Sequence, residues 1–206
     1  MKDHDSPFTY ANTHIGLTLP DWALAALNDL PPNLPTLEER MAAVIEFARQ
    51  NFLHDTGGPF AAGVFERDSG KLVVIGVNRV VPSNCSSAHA EVMALSLAQH
   101  LLRTYDLGGP SMPAHQLVVN WRPCAMCYGA VLWSGIRSLV IAGSGPELEQ
   151  ITGFDEGPIH PQWRQELQNR GIEFIENVLR EEALAVYREF AAAGRLVYNA
   201  RLGSEE

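Results

Sequence analysis

Two short residue groups, His89-Ala90-Glu91 and Pro123-Cys124-Ala125-Met126-Cys127, restrict the possible folds before any element is assigned. One His and two Cys are the protein ligands that a catalytic zinc ion keeps, its fourth position being left to water. To share one ion, the two groups must meet, although a helix-like and a strand-like segment separate them. Residues 88–102 have helical composition and carry His89 and Glu91 in their first turn. Residues 116–120 read as a short strand and 124–133 as the next helix. Both groups therefore open helices, and the chain needs a sheet that lets two helix starts converge at one edge.

The remaining pattern fits such a sheet. Thr36, followed by Glu38 and Glu39, looks like the cap of a core helix running to about Leu53, in which Met41, Val44, Ile45 and Ala48 recur at helical spacing. Residues 60–66 and 71–80 are β-rich runs joined by Arg67-Asp68-Ser69-Gly70, a hairpin signal. A strand at 138–142 follows, then helix, strand and helix at 163–170, 172–176 and 181–193. Alternating short strands and helices predict an α/β chain, a three-layer α/β/α sandwich around a central mixed sheet. Residues 1–35 read as an N-terminal extension with one short helix at 21–30, stopped by Pro31-Pro32. Residues 36–206 form the catalytic domain, closed by a tail from about 194 to 206.

The 206 residues, 46% of them hydrophobic, can bury a full core, and no apolar run approaches the length of a membrane span. The N-terminus lacks a signal-peptide layout, so a cytoplasmic location is expected. A formal net charge of -9 argues against nucleic acid as partner and favours a small, neutral or weakly cationic substrate.

The same residues also have simpler uses. A Cys-x-x-Cys pair alone could be a redox motif, and a closed structural zinc site would need a fourth ligand. The other histidines, His4, His14, His54, His100, His115 and His160, show no paired metal-ligand spacing, and His100 and His115 read as surface residues. Cys85 has no evident disulfide partner and reads as a small, half-buried side chain. Glu91 could simply stabilise a helix start, but two residues past His89 it is also near enough to reach a water on the same metal while remaining free to carry protons.

The pattern H-x-E…P-C-x-x-C is the signature of zinc-dependent deaminases. Together with Gly57-Gly58-Pro59-Phe60, Gly76-Val77-Asn78-Arg79-Val80, Gly129-Ala130-Val131-Leu132-Trp133 and Gly153-Phe154-Asp155-Glu156-Gly157, it makes the chain resemble the cytidine deaminase-like superfamily, and most of all its bacterial guanine deaminase branch. The resemblance spans about residues 38–200. It implies hydrolytic removal of the 2-amino group of guanine, giving xanthine and ammonia, with one Zn2+ per subunit held by His89, Cys124 and Cys127. It further implies that Glu91 shuttles protons, Asn78 contacts the purine, Phe60 and Trp133 line its pocket, and the Ala90 backbone amide meets the base carbonyl. Asp155 and Glu156 match an acidic pair that recognises the amino edge, Glu156 with a second proton-transfer role. Chemistry agrees, because guanine offers adjacent N–H donors at N1 and N2 that a carboxylate can accept together. Tyr198 matches a tail tyrosine that reaches the active site, and in some relatives the tail crosses to the partner subunit, which implies a homodimer with a swapped tail. Arg122 stands where relatives usually have Glu, leaving guanosine, ammeline or cytosine open as substrates. A transfer-RNA adenosine deaminase and a non-catalytic zinc or redox module are the competing readings.

Overall fold

The computed structural model describes residues 13–200. In chain order the elements are α1 (Asp21–Asp29), α2 (Leu37–Leu53), β1 (Ala61–Glu66), β2 (Leu72–Val77), α3 (Ala90–Leu102), β3 (His115–Val119), α4 (Ala125–Trp133), β4 (Ser138–Ile141), α5 (Glu147–Thr152), α6 (Trp163–Asn169), β5 (Glu173–Ile175) and α7 (Arg180–Ala192). The five strands form one sheet in the order β2-β1-β3-β4-β5. β1 is antiparallel to β2 and β3, whereas β3, β4 and β5 run parallel, so the sheet is mixed. Helices α2 and α7 pack together on one face, and α3 and α4 pack together on the other. Strands β3 and β4 are buried throughout, as strands covered on both faces must be. This is the expected α/β/α sandwich.

Local chemistry sets the element starts. Thr36 and Glu39 form a reciprocal capping box: Thr36 Oγ1 accepts from Glu39 N–H at 3.2 Å, and Glu39 Oε2 accepts from Thr36 N–H at 2.9 Å. A cap of this kind stabilises a helix by about 1 kcal/mol. Helix α3 begins at Ala90, two residues later than its composition suggests, because His89 is extended (φ -68°, ψ 156°) and serves as the N-cap. Helix α5 was not legible in the sequence, since its six residues between Pro146 and Gly153 are too few for a helical period to emerge.

One histidine reading is corrected: His115 is 1% exposed, its Nδ1 lying 2.7 Å from Leu107 O, so it is an interior residue rather than a surface one. The described part of the N-terminal extension is docked on the domain. Leu19, Ala23 and Leu34 enter the core, and Trp22 Nε1 donates to Thr56 Oγ1 at 2.9 Å. The rest of that extension, 1–12, and the end of the tail, 201–206, lie outside the described residues.

At Gly76 on β2, helix α3 lies close against the sheet. A methyl group there would stand 2.5 Å from Ala94 N and 2.9 Å from Ala90 O, both backbone atoms of α3. Gly76→Ala must therefore push away the helix that carries Glu91. The expected cost is about 1–3 kcal/mol, read as a melting midpoint lowered by roughly 3–10 °C. An unchanged midpoint would mean that α3 shifts without resistance.

Candidate active site

One edge of the sheet collects the His89, Cys124, Asn78 and Asp155 motifs. Ala61, the first residue of β1, pairs with Val77, the last of β2, and Ala62 pairs with Val119, the last of β3. Just beyond these positions come Phe60, Asn78 and the 120–124 loop, while α3 and α4 start beside them. Such an edge, outside the carboxyl ends of strands, is where open α/β sheets form their sites.

Cys124 is the N-cap of α4, with Sγ accepting from Cys127 N–H at 3.5 Å, and His89 is the N-cap of α3. The ligand atoms of His89, Cys124 and Cys127 all lie within 4.8 Å of one another, and Cys124 Sγ is 3.6 Å from His89 Nδ1. Zinc bonds of about 2.0 Å to nitrogen and 2.3 Å to sulfur set tetrahedral ligands roughly 3.5–3.8 Å apart, so the three side chains fit that ion. Among the described residues no fourth His, Cys, Asp or Glu joins the group. Hydrogen bonds from Cys127 and His89 hold the Cys124 thiol well below its ordinary pKa, while the shared proton and burial push Cys127 well above its own. A bound dication would hold both thiols deprotonated, at the positive end of α4 where both lie.

Beside the ligands lies a cavity of about 220 Å³. Phe60, Asn78, Ala90, Glu91, Asp155, Glu156 and Tyr198 all line it, as do His89 and Arg122. Trp133 does not. It is 88% exposed at the end of α4, six residues past Cys127 and so about 240° further round the helix. The resemblance placed Trp133 in the pocket, and in this structure it lies outside.

Burial, reinforced by the nearby Cys124 thiolate, pushes Glu91 up to about 6. Glu156 rises to about 8 through burial first, then through the charges of Cys124 and Glu91, with Arg122 acting in the opposite sense. The acidic pair divides its labour. Asp155 is exposed and its Oδ1 accepts from Gly157 N–H at 2.9 Å, so its carboxylate shapes the turn, whereas the Glu156 carboxyl is set deeper in the cavity. Arg122, 9% exposed, pairs through Nη2 with Glu149 Oε1 of α5 at 3.3 Å. The cation in place of the usual Glu thus has its own counter-charge.

Asn78 is fixed by its oxygen. Oδ1 accepts from Gly58 N–H at 3.4 Å and Val80 N–H at 3.3 Å, which leaves Nδ2 buried without a protein partner. Tyr198 Oη is likewise buried and unpartnered. Its hydroxyl and ring occupy the space that a side chain at Gly58 would need, 2.7 Å and 3.1 Å from an added Cβ, so Gly58 makes room for the tail. Two unpartnered polar atoms in one cavity are what a polar ligand would satisfy.

Two supporting residues were not found from sequence. Asn51 Nδ2 donates to Gly58 O at 2.8 Å and Asn78 O at 2.9 Å, tying both segments together from α2. A lone Asn beside Ala48 and Phe52 on an otherwise apolar helix face was the available signal. Asn199, which bonds to the loop before Glu156, left none.

Residues 35–143 match the family described as the cytidine and deoxycytidylate deaminase zinc-binding region, and the chain belongs to it. His89, Cys124 and Cys127 form the candidate zinc site of that region in this chain. More particularly, the chain is similar to the guanine deaminase of Bacillus subtilis (strain 168), at 31% identity over 137 residues, 66% of this chain and 83% of that one. It is also similar to the solved guanine deaminase from Nitrosomonas europaea, at 49% identity with a TM-score of 0.83, over 88% of this chain and 98% of the other. A solved structure in complex with 2,6-diaminopurine matches at 49% identity and a TM-score of 0.85, over 92% of this chain and 99% of the other. Among the described residues no helix is long and apolar enough to cross a membrane.

Proposed function

We propose that this chain is a zinc-dependent guanine deaminase, converting guanine and water to xanthine and ammonia. The observation that carries this reading is one cavity lined by His89, Glu91, Asn78 and Glu156, with Cys124 and Cys127 grouped around His89 beside it. When bound, zinc supplies the acidity that lets water act as a nucleophile near neutral pH.

The protein's own groups do the rest. Asn78 Nδ2 donates to an acceptor on the purine, and the Ala90 N–H, free at the first residue of α3, meets the base carbonyl. Phe60 supplies an apolar wall. Glu91 takes one proton of the attacking water and passes it to the ring nitrogen beside C2, then takes the proton of the new C2 hydroxyl and passes it to the amine, which leaves as ammonia as the C2 carbonyl forms. Glu156, raised to about 8, can hold or release a proton near neutral pH and faces the amino edge as the second carrier. Adenine, with an acceptor at N1, would leave a buried carboxylate without its donor.

Ammonia release measured across guanine, guanosine, cytosine, adenine and ammeline tests the substrate. Guanine should give the highest kcat/KM. Turnover of another ring with none of guanine would keep the reaction class and overturn the substrate. We place this activity in the cytoplasm and expect a homodimer, which light scattering tests. Tyr198, Asn199 and Ala200 of the tail line the cavity.

A further inference from the structure

We propose that Asn199 is a positioning residue for Glu156, holding the loop that carries it through a two-point amide clamp. The proposal rests on the deaminase reading of that site. Asn199 Nδ2 donates to Gly153 O at 2.8 Å, and Oδ1 accepts from Asp155 N–H at 2.9 Å. A carbonyl and an N–H two residues apart are the pair that a neighbouring strand would bind, and a planar amide serves both because it carries a donor and an acceptor together.

The loop needs such outside fixing. Gly153 and Gly157, at its two ends, have φ of 79° and 65°, left-handed conformations that glycine adopts without strain and that make permissive joints. Between them Phe154 is buried, its ring 4.9 Å from that of Tyr198 and 5.0 Å from that of Phe60. On the far side Glu156 O accepts from Ala125 N–H at 3.3 Å, at the residue following the zinc ligand Cys124. The loop is therefore held from the α4 start on one side and from Asn199 on the other. Removing the amide frees the 153–155 half and leaves the Ala125 contact in place.

The clamp itself has a fixed base. Arg195 pairs with Asp55, and Tyr198 lies against Gly58, so the segment carrying Asn199 is anchored to residues 55–58, which follow α2. Asn199 thus transmits that anchorage to Glu156, and its amide is spent on loop backbone rather than on substrate. Asp cannot replace it fully, because a carboxylate accepts from Asp155 N–H but has no donor for Gly153 O.

The test is a double-mutant cycle between Asn199→Ala and Glu156→Gln, with Asn199→Asp as the graded variant. On guanine, Asn199→Ala should lower kcat roughly 10- to 100-fold, the scale of a misplaced catalytic group, and Asn199→Asp by less. KM should move by less than about threefold, and the melting midpoint should hold. In the Glu156→Gln background Asn199→Ala should cost less than about twofold, because the group it positions is gone. The same cycle read as the dissociation constant of 8-azaguanine needs no turnover, and there Asn199→Ala should cost up to about threefold in the parent and nothing measurable in the Glu156→Gln background. Losses that add in both readouts, or an unchanged kcat with a lowered midpoint, would overturn the proposal. If the unaltered protein fails to act on guanine, the functional reading falls instead, and the binding cycle still decides the role of Asn199.

Discussion

Glu91→Gln is expected to lower ammonia release from guanine by about 10³-fold or more while leaving one zinc per chain, within the 10²–10⁴ range that a positioned acid–base group supplies. The substitution keeps size and shape and removes only the ability to take and return a proton. Glu91 is buried in the first turn of α3, and none of the three ligand side chains is altered. KM should change little, because the loss falls on the chemical step. Stability should move the other way. In zinc-free protein the folded Glu91 titrates near 6 instead of 4.5, so the native state binds its proton more tightly than the unfolded chain does. That contribution is fully present below 4.5 and is lost as pH rises through 6. The metal-free Gln variant should therefore melt no lower than the parent at neutral pH. A parent-like kcat would remove Glu91 from the mechanism, and a variant without zinc would make it a metal-site residue.

Cys124→Ala is expected to have an effect as large for a different reason. It removes a zinc ligand and, with it, the Sγ acceptor that caps α4 through Cys127 N–H. Zinc content should fall far below one per chain, and activity by at least about 10³-fold, beyond rescue by modest zinc excess. Loss of the cap should add a destabilisation on the order of 1 kcal/mol or less, since a sulfur acceptor at 3.5 Å is weak. Cys124→Ser separates the two effects: its hydroxyl can cap the helix yet is a poor zinc ligand. Metal analysis beside a melting curve checks both. Full zinc occupancy in either variant would contradict the ligand assignment.

Periodicity and punctuation revealed most of the fold. Thr36 with Glu39, the Gly70 turn and Pro31-Pro32 act within a few residues, so local sequence reports them directly. The metal site was legible for the same reason, since ligands at fixed offsets on two helix starts can be read from spacing alone. What stayed hidden depends on partners distant in sequence. His115 looks like any surface histidine until Leu107 O is seen 2.7 Å away. Trp133 belongs to a motif that matches the family, yet the rotation of α4 turns it outward. Asp155 and Glu156 are adjacent acids, and only the clamp from Asn199 and the Asp155–Gly157 turn separate their roles. Arg122 looked like a disruption beside a ligand until Glu149, on a helix too short to predict, supplied its counter-charge.

Hydrolysis of guanine at this cavity is tested most directly by one product measurement. Zinc-loaded protein is incubated with guanine in oxygen-18 water, and xanthine and ammonia are quantified by mass spectrometry and enzymatic assay. The two products should appear in equal amounts, with one oxygen-18 atom at C2 of xanthine and neither product formed by the Glu91→Gln variant. Absence of xanthine, xanthine without the label, or equal product formation by Glu91→Gln would contradict it.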